Sequence, residues 1–101
     1  MNPKTFADRL REDRRLVLLR LLSEQLGYRA NSSQLHAGLH HLAVAATKDD
    51  VMTDLHWLKD QGLVRVHEPV EGVLAAELTS RGHEVATGAA MVPGVSRPSP
   101  R

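Results

Sequence analysis

Between Thr47 and Val66 the chain reads TKDDVMTDLHWLKDQGLVRV. Val51, Leu55 and Leu58 recur at i, i+4 and i+7, the spacing of one helix face. Thr47 with Asp50 three positions later is a capping box, and the aspartates suit the positive end of the helix dipole. Gly62 follows as a left-handed stop. Leu63 to Val66 are strand formers, and the spacing Leu63-x-x-Val66 leaves open which face is buried.

The pattern predicts three more helices and a second strand. The first helix runs from Pro3 or Lys4 to Gln25, with Phe6, Leu10, Val17, Leu18, Leu21 and Leu22 as its main apolar face. Leu16 and Leu19 lie off that face. The segment LVLLRLL is therefore apolar nearly all round, which suits a helix covered on two sides. One side is the domain's own core. A second subunit, reached through Leu16, Leu19 and Val85, is the expected cover for the other; a helix central in its own bundle is the alternative. Gly27 ends this helix, and Tyr28-Arg29-Ala30 links to the next. Asn31, Ser32 or Ser33 caps a second helix reaching about Val44, with Leu35, Leu39 and Leu42 as its stripe. Ala45-Ala46 turns tightly into Thr47.

Beyond Gly62 the strand LVRVHE reaches Pro69, which should end it. Residues 68–72 form the hairpin connection, with Gly72 free to take a positive φ. Val73 to Leu78 returns. Thr79 caps a last helix from Ser80 to about Ala90, in which Gly82 permits close backbone packing. The order helix, helix, helix, strand, strand, helix is that of an α+β winged helix-turn-helix, the second and third helices forming the helix-turn-helix pair. Residues 1–90 make this one domain. Residues 91–101, with three Pro, one Gly and two Ser, are expected as an extended or disordered tail outside the core.

Composition sharpens the picture. Hydrophobic residues are 42% of the 101 but aromatics only 3%, so the core must be aliphatic. Cysteine is absent, which removes disulfides, thiolate metal sites and a cysteine nucleophile, and fits a cytoplasmic protein. No apolar run approaches the ~18 residues of a membrane span. The net charge of +1 gives no bulk argument for nucleic acid. Its distribution is uneven: residues 1–20 carry +3, residues 21–61 and 62–86 carry −2 each, and residues 87–101 carry +2. Arg14, Arg15 and Arg20 are expected on a solvated face, in i, i+4 pairs with Glu12, Asp13 and Glu24.

Leu55-x-x-Leu58-x-x-x-Gly62-Leu63-Val64, a strand pair and Leu78-Thr79-x-x-Gly82 resemble the pattern of bacterial winged-helix regulators of the arsenic-repressor and multiple-antibiotic-resistance types. The whole chain is also similar to a small winged-helix family carried by Mu-like prophages. The pieces that carry this are Phe6-Ala-Asp-Arg-Leu-Arg-Glu-Asp-Arg-Arg-Leu16, Gly27-Tyr-Arg-Ala-Asn31, Thr53-Asp-Leu-x-Trp-Leu58, Leu78-Thr-x-Arg-Gly82 and Val92-Pro-Gly-Val-x-Arg-Pro-Ser-Pro100. The resemblance implies a phage protein and supports the fold more than any activity.

In a DNA-binding winged helix the third helix enters the major groove and the hairpin touches phosphates. The expected partner is double-stranded DNA, bound by a homodimer. Thr47, Lys48, Thr53 and His56 are the groove candidates, and Arg65 the phosphate contact. The third helix sums to −2 and Glu68 and Glu71 stand at the hairpin tip, so a protein-interaction adaptor in phage development is the rival reading. Trp57 is expected to pack on the hairpin strand or on Tyr28, and otherwise to anchor a partner. His36 and His40 have ligand spacing but no third ligand nearby, so a solvated face is expected and no metal or other cofactor. Nothing in the chain has the pattern of a catalytic site. Arg97 and Arg101 among prolines leave two readings of the tail, a docking segment for a phage or host protein or an inert end.

Overall fold

The computed structural model describes residues 3–99. Helix α1 (Phe6–Ser23) is followed by a 3-10 turn (Leu26–Tyr28), strand β1 (Arg29–Asn31), helices α2 (Ser32–His41) and α3 (Lys48–Asp60), strands β2 (Val64–Val70) and β3 (Val73–Leu78), and helix α4 (Ser80–Thr87). The fold is α+β: four helices and a three-stranded antiparallel sheet in the order β1-β3-β2. This is compatible with the expected winged-helix arrangement, with a third strand added where a linker was expected. Arg29, Ala30 and Asn31 pair with Glu77, Ala76 and Ala75.

Local chemistry sets the helix starts. Thr5, Asn31 and Thr47 each accept a hydrogen bond from the backbone N–H three residues on, and the Asp8, Gln34 and Asp50 side chains each accept one from the cap residue's own N–H. Thr79 accepts from Gly82 N at 3.0 Å and its hydroxyl donates to Gly62 O at 2.8 Å. One side chain therefore starts α4 and ties it to the turn after α3. Gly82 is required there, because a Cβ would lie 2.1 Å from Leu63 O. α1 starts later than expected because Thr5, not Pro3, is its cap.

Leu18, Leu19, Leu22, Leu35, Leu39, Val51, Leu55, Leu58, Leu63 and Val64 form an aliphatic core between the helices and the sheet. Leu63 and Val64 both turn inward, which their spacing had left open. The face of α1 differs from the expected one. Leu16, Leu18, Leu19 and Leu22 are buried, whereas Phe6 is 75% and Leu10 50% exposed. Leu16, Leu19 and Val85 are thus covered by their own protomer and present no dimer surface. A helix that is apolar all round gives no periodic signal of which side is inside. Leu42 is also half exposed: α2 stops a turn early, and Ala43 takes a φ of +60°.

Pro69 lies inside β2 instead of ending it. The register shifts between His67 and Val70, and that irregularity admits a residue with no N–H to donate. Gly72 turns the hairpin with a φ of +82°. The tail has no helix or strand through residue 99, yet it is not outside the core. Val92 and Val95 are buried against the helices, which corrects the expectation that the tail contributes nothing to the interior.

Candidate nucleic-acid interface and the ion cluster beneath it

Helix α3 has two electrostatic sides. Lys48, Asp49, Thr53, His56, Lys59 and Asp60 are exposed. Asp54 is fully buried and points at α1. Its Oδ2 accepts from Arg14 Nε at 2.5 Å, and Oδ1 faces Arg15 Nε at 3.6 Å. Asp50, one turn earlier, holds the cap at Thr47 and stands 3.9 Å from Arg14 Nη1. The Thr47 N–H, helped by the Thr47 hydroxyl, keeps the Asp50 carboxyl below the usual carboxylate range. The hydrogen bond to Asp54 raises Arg14 further, while burial pushes Arg15 down. Arg14 and Arg15 are therefore not on a solvated face beside Glu12 and Asp13, as their sequence neighbours suggested. They face the buried Asp54 of α3, and Arg14 also stands near the partly exposed Asp50.

Arg15 also locks the tail. Its guanidinium carbon lies 3.9 Å from the centre of the Trp57 ring, and Nη1 donates to Gly94 O at 2.9 Å. Gly94 has a φ of +100°, and a Cβ there would come within 2.6 Å of Trp57. Trp57 therefore packs between Arg15 and the tail, two neighbours the sequence reading did not name. Further along, Ser96 donates from its backbone to Glu12 O at 3.3 Å and from its hydroxyl to Asp13. None of this was visible in the sequence, because the partners are separated by 37 (Trp57 and Gly94) to 84 (Glu12 and Ser96) residues.

The groove candidates fall into two groups. Thr47, Lys48, Thr53 and His56 lie along one exposed side of α3, although the Thr47 hydroxyl accepts from Asp50 N at 3.0 Å. Lys48 borders a shallow cleft of about 70 Å³ with Ser33, Met52 and Gly72, so the start of α3 and the hairpin tip meet there. Arg65 is not with them. It lies five residues down β2 from Val70, about 16 Å along the strand, and its Nη2 is 3.1 Å from Glu77. The hairpin tip instead carries Glu68, Glu71 and an exposed Val70, with Glu68 accepting from Gly72 N at 2.7 Å. His36 Nε2 donates to Ala46 O at 2.8 Å, and so holds the α2–α3 turn. Among the described residues no three metal-ligating side chains cluster, and no helix is long and apolar enough to cross a membrane.

Protein gp26 of Escherichia phage Mu, itself uncharacterized by name, is 45% identical over 94 residues, covering 93% of this chain and 96% of the phage protein. The chain belongs to the family of phage Mu gp26. An uncharacterized Haemophilus influenzae protein is 39% identical over 77 residues, 76% of this chain and 74% of its own length. No family model matches the chain, and no solved structure matches it.

Proposed function

We propose that this gp26-family protein is a winged-helix DNA-binding protein of the bacterial cytoplasm, a phage regulator that acts as a homodimer with α3 in the major groove and performs no catalysis. The observation that carries the reading is the division of charge on α3. The helix sums to −2 in sequence, but Asp50 caps its start and Asp54 is buried on arginines. The outward side keeps two lysines, Lys48 and Lys59, against Asp49 and Asp60. That side is neutral, and it offers Thr53 and His56 for base edges and Lys48 for a phosphate.

An adaptor role is favoured by a different observation. Arg65 is tied to Glu77, and the hairpin tip is acidic with an exposed Val70. A wing of that kind repels phosphate and suits a protein partner. Salt separates the two readings. For DNA binding, fluorescence anisotropy on a labelled duplex should give affinity that falls steeply between 50 and 200 mM salt, these being ordinary assay conditions. Lys48→Ala should lower affinity and flatten the salt slope by about one. No duplex binding at the lower salt would refute the DNA reading and leave the adaptor.

A further inference from the structure

The first two turns of α1 carry an apolar patch that the protomer does not cover. Phe6 is 75% exposed and Leu10 50%, and Val17, partly buried against the core, continues the line. At 100° per residue these three lie within about 40° of one another. The tail lies along one side of this stripe, through Ser96 on Glu12 and Asp13. α2 lies on the other, with Gly38 against Leu21. An exposed Phe and Leu one turn apart on a rigid helix are an unfinished interface.

The charges around the stripe say what finishes it. Elsewhere on α1 the charged side chains are paired: Lys4 with Glu12, Arg11 with Asp8, and Arg14 and Arg15 with Asp54. Arg9, Asp13, Arg20 and Glu24 flank the stripe, and among the described residues none of them makes a salt bridge. Their signs run plus, minus, plus, minus along the helix. Reversed and laid on itself, that series is complementary to itself.

We infer that the outer face of α1, through Phe6, Leu10 and Val17, binds the same face of a second copy of this chain, antiparallel, about a two-fold axis near Val17. At that register Asp13 stands beside the partner's Arg20, Arg9 beside the partner's Glu24, and Phe6 approaches the partner's Leu26. Leu26 is 99% exposed in the protomer. A two-fold axis makes each of these contacts twice. The surface deepens the homodimer part of the proposed function and is independent of DNA.

Sedimentation of the full chain without nucleic acid tests it. The expected mass is twice the 11.1 kDa of one chain at tens of micromolar, ordinary working concentrations. Phe6→Glu with Leu10→Glu should raise the dimer dissociation constant at least about tenfold. Both side chains are exposed, so circular dichroism and the melting of the monomer should stay unchanged. Asp13→Arg alone should also weaken the dimer, and adding Arg20→Asp should restore it. Val17→Cys should form a disulfide-linked dimer, since the chain has no other cysteine. A wild-type monomer, an undiminished dimer in the glutamate variant, or no rescue by the charge swap would overturn the proposal. DNA binding by a monomer would then still be measurable, so the two failures are distinct.

Discussion

Replacing Asp54 with Ala would leave Arg14 and Arg15 facing each other at the seam of α1 and α3 with their shared counter-charge gone. Both arginine side chains are only 14% and 11% exposed, and Asp54 itself 1%. An uncompensated, partly buried charge pair costs about 3 kcal/mol, so Asp54→Ala should lower the urea midpoint markedly. Asp54→Asn should cost less, because it keeps an acceptor for Arg14. Equal midpoints for Asp54→Ala and the wild type would mean that the ion cluster contributes nothing to stability. Gly94 is a second such point. Gly94→Ala places a methyl within 2.6 Å of Trp57 at a φ of +100°, and should destabilise by about 2 kcal/mol or more, read by the same denaturation.

At the scale of elements, α3 rests on its cap and the tail rests on α1. The Asp50 carboxyl is held below its ordinary value first by the N–H of Thr47. A group whose folded-state pKa is depressed contributes stability above its unfolded value of about 3.9 and loses it as pH falls through the folded value. Asp8 at the α1 cap has the same sign. Stability should therefore decline below about pH 4, and Thr47→Ala should remove about 1 kcal/mol at neutral pH while leaving most of that decline, because the backbone N–H at position 47 remains. Truncation after Ala90 should cost about 3 kcal/mol, from the lost burial of Val92 and Val95, and should shift Trp57 fluorescence to the red. A truncated chain as stable as the full one would show that the tail is only laid on the surface.

These elements also show what could be read from the chain. The caps at Thr47 and Thr79 and the stop at Gly62 were legible, because each depends on residues within about four positions, whereas the cap of α2 was narrowed only to Asn31, Ser32 or Ser33 and the partner of Gly82, the Leu63 carbonyl, was not legible. The role of Arg14, Arg15 and Asp54 was not, because nothing local distinguishes an arginine paired with Glu12 from one paired 40 residues away. Val92 and Val95 were hidden by composition: a Pro-Gly between them breaks every helical or strand period, so the segment read as a polar tail. Pro69 misled for a similar reason, since a bulge can admit a proline that a regular ladder cannot.

For the whole molecule, the arrangement joins a helix with a neutral, polar outer side to a body that absorbs that helix's acids. The α1 stripe and the outer side of α3 use different faces of the fold, so a dimer can form and still leave α3 open. The most direct measurement of the proposed function is a titration of the ¹⁵N-labelled protein with duplex DNA, followed by amide chemical shifts. Shifts concentrated at Lys48, Thr53 and His56 on α3, reversed by salt, are the predicted result. Shifts confined to other surfaces, or none at all, would contradict it.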